Sequence, residues 1–520
     1  MSEENTSESS FVEYGIEDRP PLPTSLLLGV QHYLTMVGAN IAVPLVLAGA
    51  LGMPGDIVPQ FVGTFFVVSG IATLAQTTIG NRYPIVQGAP FSMLAPALAV
   101  IGVVQASNPT GPAWQAALLQ LQGAIIVASV AEVAIGYFGL LGRLRRFISP
   151  VVVAPTIALI GLALFNVPQI TAATNDFWLL GLTLGLILLF SLYLDTSHRI
   201  FDLFPVLLGV VTAWAIALVL SLTGVYTSSS PGYVDYGQVL SAPAILPIYP
   251  LQWGMPEVSL PLVVGMFAGV AASMVESFGD YHAVARLSGQ GAPSERRINH
   301  GIGMEGLMNI VSASFGGCGC TSYSENIGAI GLTGVASRYV VQIGAVVMLF
   351  VGFIGYFGQA VATIPNPIVG GLFLAMFGQI VAVGLSNLKY VDLDSQRNVF
   401  IIGFALFAGL AIPAYINGLG AAAPDGVSAS AFFQQGLASI PVAGVVLGTD
   451  IVANTLYVIG GTGMAVGGLA AFVLDNTVSG TRDERGLIKW EAVVEDDEAF
   501  ESALDRVRGR NRAGSGSKAD

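Results

Sequence analysis

Apolar residues in this chain gather in long runs, without the strict two-residue alternation of strands. Runs lie near 25–49, 57–79, 84–105, 113–141, 149–166, 175–194, 201–225, 259–284, 298–315, 320–334, 337–359, 367–388, 398–415 and 456–477. Most are long enough, at 1.5 Å per helical residue, to cross a hydrocarbon layer about 30 Å thick. The expectation is an all-α polytopic membrane protein with fourteen transmembrane segments. The third, "PIVQGAPFSMLAPALAV" (Pro84–Val100), and the tenth, "CTSYSENIGAIGLTG" (Cys320–Gly334), differ from the rest. Both begin with irregular or β-like residues, carry Gly or Pro early and then turn helical. They predict broken spans containing short β-strands.

Composition agrees. The 520 residues are 53% hydrophobic and 10% charged, against roughly 25% charged in soluble domains. Residues 1–18 are acidic and Ser-rich with no basic stretch, so the first apolar run reads as a span and not as a cleavable signal. The net charge of −13 arises largely at the ends, from Glu3, Glu4, Glu8, Glu13, Glu17, Asp18 and Glu495–Glu498. Such acidic, Lys-poor ends suit a high-salt cytoplasm or plain solvated tails. Cys318 and Cys320 are too close for a zinc knuckle and read as small packing residues in a tight connection.

Basic residues give an independent count of spans. Arg19 precedes the first run. Arg82 follows the second, Arg143, Arg145 and Arg146 the fourth, and Arg199 the sixth. Arg286, Arg296 and Arg297 follow the eighth, Arg338 the tenth, Lys389 and Arg397 the twelfth, and Arg482 and Arg485 the fourteenth. The intervening connections, including 226–257 and 416–455, contain no Lys or Arg. This alternation predicts both termini in the cytoplasm of a multi-pass plasma-membrane protein. Fourteen divides into seven plus seven, and an odd number per half inverts the second relative to the first. The expected organisation is an acidic cytoplasmic tail (1–22), a first repeat (23–226), an extracellular loop (227–257), a second, inverted repeat (258–478) and a cytoplasmic acidic tail (479–520). The stretch 436–456 can be re-entrant or interfacial.

Paired broken spans at matching places in two halves point to a substrate site. Non-helical backbone at membrane depth must face protein or a cavity, and half-helix N-termini offer free N–H donors. Carboxylates mark the same region. Ser273, Glu276, Ser277 and Asp280 form one stripe of the eighth span. Glu276 and Asp280, at i and i+4, repel if both are ionised; one of them can carry a proton. Glu325 opens the helical part of the tenth span, where Asn326 can brace the loop. Glu305 and Glu132 are further intramembrane carboxylates, and each is costly in hydrocarbon, roughly 2.5 kcal/mol or more at a helix centre. Carboxylates beside free N–H donors suit a neutral ring that alternates N–H and C=O, such as a uracil- or xanthine-like imide. They do not suit an inorganic anion.

These residues resemble a known family. "ENIGAIGLTG" (Glu325–Gly334), "VESFGDYHAVARLS" (Val275–Ser288), "LLGVQHYL", "PIVQGAPF", "LTGVASRYV" and "AFVLDNTVSGTRDERG" (Ala471–Gly486, with Ser479 in place of a usual Pro) resemble motifs of the nucleobase–ascorbate transporters, the xanthine/uracil permeases of the nucleobase:cation symporter-2 group. The resemblance covers about residues 20–490. It implies a seven-plus-seven inverted fold with a core of spans 1–4 and 8–11, a gate of spans 5–7 and 12–14, and a homodimer formed through the gate. It implies substrate binding by Glu276, Glu325, Asn326, Phe91, Ala89 and Gly328, cation coupling by Asp280 and Glu305, and a supporting role for His32. It also implies import of uracil or xanthine with H+; purine, urate or ascorbate with Na+ is the alternative, and Glu325 argues against the ascorbate anion. No metal, cofactor or nucleic-acid partner is expected. An anion transporter on the same fold should lack the Glu276/Glu325 pair, nothing resembles a channel filter, and no nucleophile–base set suggests an enzyme.

Overall fold

The computed structural model describes residues 12–488, except 108, 141–146, 166, 173–175, 195–197 and 425. Arg143, Arg145, Arg146, the first eleven residues and the acidic tail beyond 488 lie outside the described residues.

Helices occupy the expected segments: α1 (Leu22–Leu51), α2 (Val58–Thr78), α3 (Leu94–Ala106), α4 (Ala113–Tyr137), α5 (Pro150–Leu162), α6 (Phe177–Leu188), α7 (Pro205–Leu222), α8 (Leu260–Leu287), α9 (Glu295–Phe315), α10 (Ser324–Thr333), α11 (Arg338–Phe353), α12 (Asn366–Ser386), α13 (Gln396–Ala422) and α14 (Gly463–Thr477). Seven of them (α1, α2, α4, α7, α8, α12 with its following turn, and α13) are individually long and apolar enough to cross a membrane. Local chemistry sets their ends. α1, α2, α5, α7, α8 and α12 carry proline in their first two positions, where the missing N–H is harmless. Ser149, Ser294 and Ser337 accept first-turn N–H groups.

The last span departs from the expected straight run 456–477. A helix at Asp450–Gly460 meets α14 at a bend of 97°. The break falls at Gly461–Thr462, in a Gly-Gly-Thr-Gly sequence that no helix propensity sustains. The stretch before it folds as short helices, Ala429–Ala438 and Gly444–Leu447.

Both broken spans contain a two-residue strand. β1 (Gln87–Gly88) pairs antiparallel with β2 (Thr321–Ser322), Gln87 opposite Ser322 and Gly88 opposite Thr321. A 3-10 turn, Phe91–Met93, leads from β1 into α3, while β2 leads into α10. Helix packing comes in related pairs. α4 packs on α9 and α2 on α11; α1 on α11 and α8 on α4; α3 on α8 and α10 on α1; α6 on α12 and α13 on α5. α5 packs on α12.

The chain preceding α1 straps the broken spans at one end. The N–H groups of Glu13 and Tyr14 donate to Gly334 O, and those of Ala336 and Arg338 donate to the carbonyls of Tyr14 and Ile16. Ile16 is buried beside Tyr83, Ile85 and Ile330. Glu17 pairs with Arg82 at 2.9 Å and with Arg338 at 2.5 Å. Partial burial pushes the Glu17 carboxyl up, but the Arg338 hydrogen bond and the charges of Arg338, Arg82 and Arg297 outweigh it and hold its pKa below the usual 4.5. The carboxylate therefore supports the strap above pH 4.5, and that support is lost as the pH falls through the lowered value. Glu17→Gln should speed hydrogen exchange at Ala336 and Arg338 at neutral pH, after correction for intrinsic rates. The wild type should show this loosening only in acid.

Candidate functional site

The site forms where α10 begins. Glu325 is the second residue of α10, and Gly328, Ala329 and Leu332 follow on the same face at i+3, i+4 and i+7. This face lines a cavity of about 260 Å³ with Thr35 of α1, Phe91, Glu276 of α8, Thr321, Tyr323 and Ser324, and, from the opposite side, Ile157 of α5 and Met376, Gln379 and Ile380 of α12. Neither the 3-10 turn at Phe91 nor α10 is capped by the side chain of its preceding residue, Pro90 or Tyr323. A second cavity, about 390 Å³, shares Ile157, Glu276, Ser324 and Val383 with the first. It runs past Asp280 to Arg286, Gln290, Lys389 and Tyr390.

The pleated segments are held rigidly. Tyr323 donates its hydroxyl to Ala89 O at 2.8 Å, and Gln87 Nε2 donates to Ser322 Oγ at 2.9 Å. Asn326 Oδ1 accepts the Val86 N–H at 2.9 Å, while Asn326 Nδ2 lies 2.9 Å from His32 Nδ1. Gly88 is required by close approach: a Cβ there would lie 2.5 Å from the Tyr323 ring.

The polar stripe of α8 divides. Ser273 and Ser277 turn inward and donate to Glu305, at 2.7 and 2.5 Å. Thr321 Oγ1 (3.3 Å) and Tyr281 OH (3.4 Å) complete four hydroxyl donors on that buried carboxylate. Glu276 and Asp280 face the cavities instead. Asp280 Oδ1 accepts from Ser324 Oγ at 2.7 Å. Asp280 Oδ2 and Glu276 Oε2 have no hydrogen-bond partner among the described residues. Phe91 is buried at the cavity edge, 6.1 Å from Phe377 in an edge-on arrangement.

The structure thus brings Glu276, Glu325, Phe91 and Gly328 to one cavity and Asp280 to its neighbour. It places Asn326, Ala89 and Glu305 behind the wall, because the carboxamide of Asn326, the backbone of Ala89 and the carboxylate of Glu305 are engaged by the strand segments. Sequence reasoning did not find Tyr323, Ser324, Thr35 or Gln379. Gln379 had a signal, being the lone polar side chain within "LFLAMFGQIVAVGL". Among the described residues no group of His, Cys, Asp and Glu could hold a metal ion.

Gly328 tests the cavity directly. A Cβ on it would meet nothing within 4 Å. Gly328→Ala should leave transport nearly unchanged, whereas Gly328→Phe should abolish it by filling the cavity, as measured by initial uptake rates.

A many-helix membrane permease, with a cavity at paired broken spans, is the class that these features define. The chain belongs to the xanthine/uracil permease family, the nucleobase–ascorbate transporters: that family's model, described as "Permease family", matches residues 23–418. Solute carrier family 23 member 2 of Rattus norvegicus is 40% identical over 92% of this chain and 77% of its own length. Nucleobase-ascorbate transporter 12 of Arabidopsis thaliana is 34% identical over 94% and 73%. Two solved structures share the fold. The transmembrane domain of a cyanobacterium bicarbonate transporter, BicA, has a TM-score of 0.51 at 16% identity, covering 75% of this chain and 96% of that one. The murine Solute Carrier 26 family member A9 anion transporter, inward-facing, has a TM-score of 0.54 at 14% identity over 76% and 66%.

Proposed function

We propose that the chain imports a nucleobase, uracil or xanthine, by symport with protons. One observation carries this reading: Glu276 and Glu325 line the same cavity, beside Phe91 and two uncapped half-helix starts. Carboxylates accept ring N–H groups, free backbone N–H groups donate to ring C=O groups, and Phe91 covers an apolar ring face. The anion transporters named above share only the fold; a bicarbonate-like ligand would meet two carboxylates here. Ascorbate, present in the names of the plant relatives, would meet the same repulsion.

Asp280 is the coupling group in this reading. It joins α8 to the first residue of α10 through Ser324, so protonation there bears on the helix that carries Glu325. The related packing pairs support two inverted halves, 23–226 and 258–478. Exchanging each helix for the one seven positions away turns α4·α9 into α11·α2, and α1·α11 into α8·α4. α1–α4 with α8–α11 then form the core and α5–α7 with α12–α14 the gate. Rocking between these groups exposes the cavity alternately to each side. The alternation of basic residues supports a reading with both termini in the cytoplasm, in which the Arg286–Lys389 cavity is the inward mouth of a plasma-membrane homodimer. No covalent step is needed, so the chain acts as a transporter and not as an enzyme.

A competition panel tests the substrate. Uracil or xanthine should inhibit labelled-base uptake saturably, and urate and ascorbate should do so weakly. Strong competition by ascorbate alone would overturn the reading.

A further inference from the structure

Behind the cavity wall, three polar residues of α9 meet three residues of the chain entering β2. Glu305 Oε1 accepts from Thr321 Oγ1 at 3.3 Å. Asn309 Oδ1 accepts the Cys320 N–H at 2.5 Å. Ser312 Oγ accepts the Gly319 N–H at 3.2 Å and donates to Gly319 O at 3.1 Å. Residues 305, 309 and 312 share one helix face, and they face residues 321, 320 and 319 in reverse order. Gly319 has φ +99°, and a Cβ there would lie 2.8 Å from Asn309 Oδ1, so only glycine admits this approach. The ladder sets where β2 begins, and hence where α10 places Glu325.

The middle rung depends on an outside group. The two ends of an asparagine amide differ only as donor and acceptor, so its partners decide which end faces Cys320. Glu132 of α4 supplies that decision: its Oε2 accepts from Asn309 Nδ2 at 2.7 Å. Glu132 is fully buried, and its Oε1 has no hydrogen-bond partner among the described residues. The ion pairs found among the described residues involve Glu17 and Asp475, not Glu132. A buried carboxyl is costly, and neither the cavity nor an ion pair accounts for this one.

We propose that Glu132 is a positioning residue for transport, holding the Asn309 amide so that the ladder fixes β2 and the helix carrying Glu325. The proposal rests on the cavity at Glu325 being the substrate site. Its chemistry asks for an acceptor at position 132, not for a charge, so glutamine should serve and leucine should not.

The experiment uses the full chain in proteoliposomes, with base uptake and thiol labelling as readouts. Cys318 and Cys320 are the only two cysteines, and both are buried; they report on the turn directly. Glu132→Gln should keep KM and the slow maleimide labelling of the wild type. Glu132→Leu should raise KM by about tenfold, the usual scale for one lost buried hydrogen bond, and should speed labelling. A second pair decides the matter even if the leucine variant fails to fold. Asn309→Asp alone sets two carboxyls face to face and should impair uptake. Glu132→Gln with Asn309→Asp restores one amide and one carboxyl and should recover it. Wild-type KM and labelling in Glu132→Leu would overturn the proposal. So would a Glu132→Gln variant as impaired as the leucine one, or a double variant no better than Asn309→Asp. Labelling needs no substrate. A chain that ignores uracil and xanthine would refute the proposed function, while the labelling comparison would still decide this one.

Discussion

Glu325→Gln and Glu276→Gln should each lower kcat/KM for base uptake by about 10- to 100-fold. A hydrogen bond to a charged group is worth roughly 1.5–3 kcal/mol, and about 1.4 kcal/mol corresponds to a factor of ten. Glutamine keeps the size of the side chain but carries no charge and one acceptor oxygen in place of two, so the ring N–H loses its charge-assisted partner. Both residues line the cavity, and neither belongs to the ladder that braces β2, so the variants should solubilise and elute like the wild type. Initial-rate uptake at several base concentrations measures the effect. Full transport in both variants would remove the site assignment.

Asp280→Asn should separate binding from coupling. The Asn carbonyl can still accept the Ser324 hydroxyl that Asp280 Oδ1 accepts at 2.7 Å, so the start of α10 should stay in place. The side chain can no longer gain and lose a proton. Exchange of internal for external base should therefore persist, while accumulation driven by a pH gradient disappears. Gradient-driven accumulation equal to wild type in this variant would exclude Asp280 as the coupling group.

Much of this architecture was legible in the sequence because its causes are local. Hydropathy located the helices, and the alternation of arginine-bearing and arginine-free connections predicted fourteen crossings, of which seven helices are individually long and apolar enough to span. Gly and Pro in "PIVQGAPF" and "TSYSENIG" exposed the two segments that pair as β1 and β2. Glu276, Asp280 and Glu325 stood out because a carboxylate in an apolar run needs a cavity. The rest depended on contacts between distant segments. Gln379 joins the cavity only because α12 packs on α5, opposite α10. Glu305 carries four hydroxyl donors because α8 and the β2 approach converge on α9, and a carboxylate at that position reads the same from sequence whether it faces hydroxyls or a cavity. The bend of 97° before α14 left a local sign, Gly460 to Gly463. Glycines alone do not fix a bend angle, because packing chooses it.

The most direct test of the central claim is the uptake of labelled uracil and xanthine into proteoliposomes under an inward proton gradient, without Na+. The account predicts saturable accumulation of at least one base above equilibrium, abolished by a protonophore and unchanged when an inward Na+ gradient is added. Uptake of neither base under the proton gradient, with ascorbate accumulating under a Na+ gradient in the same vesicles, would contradict it.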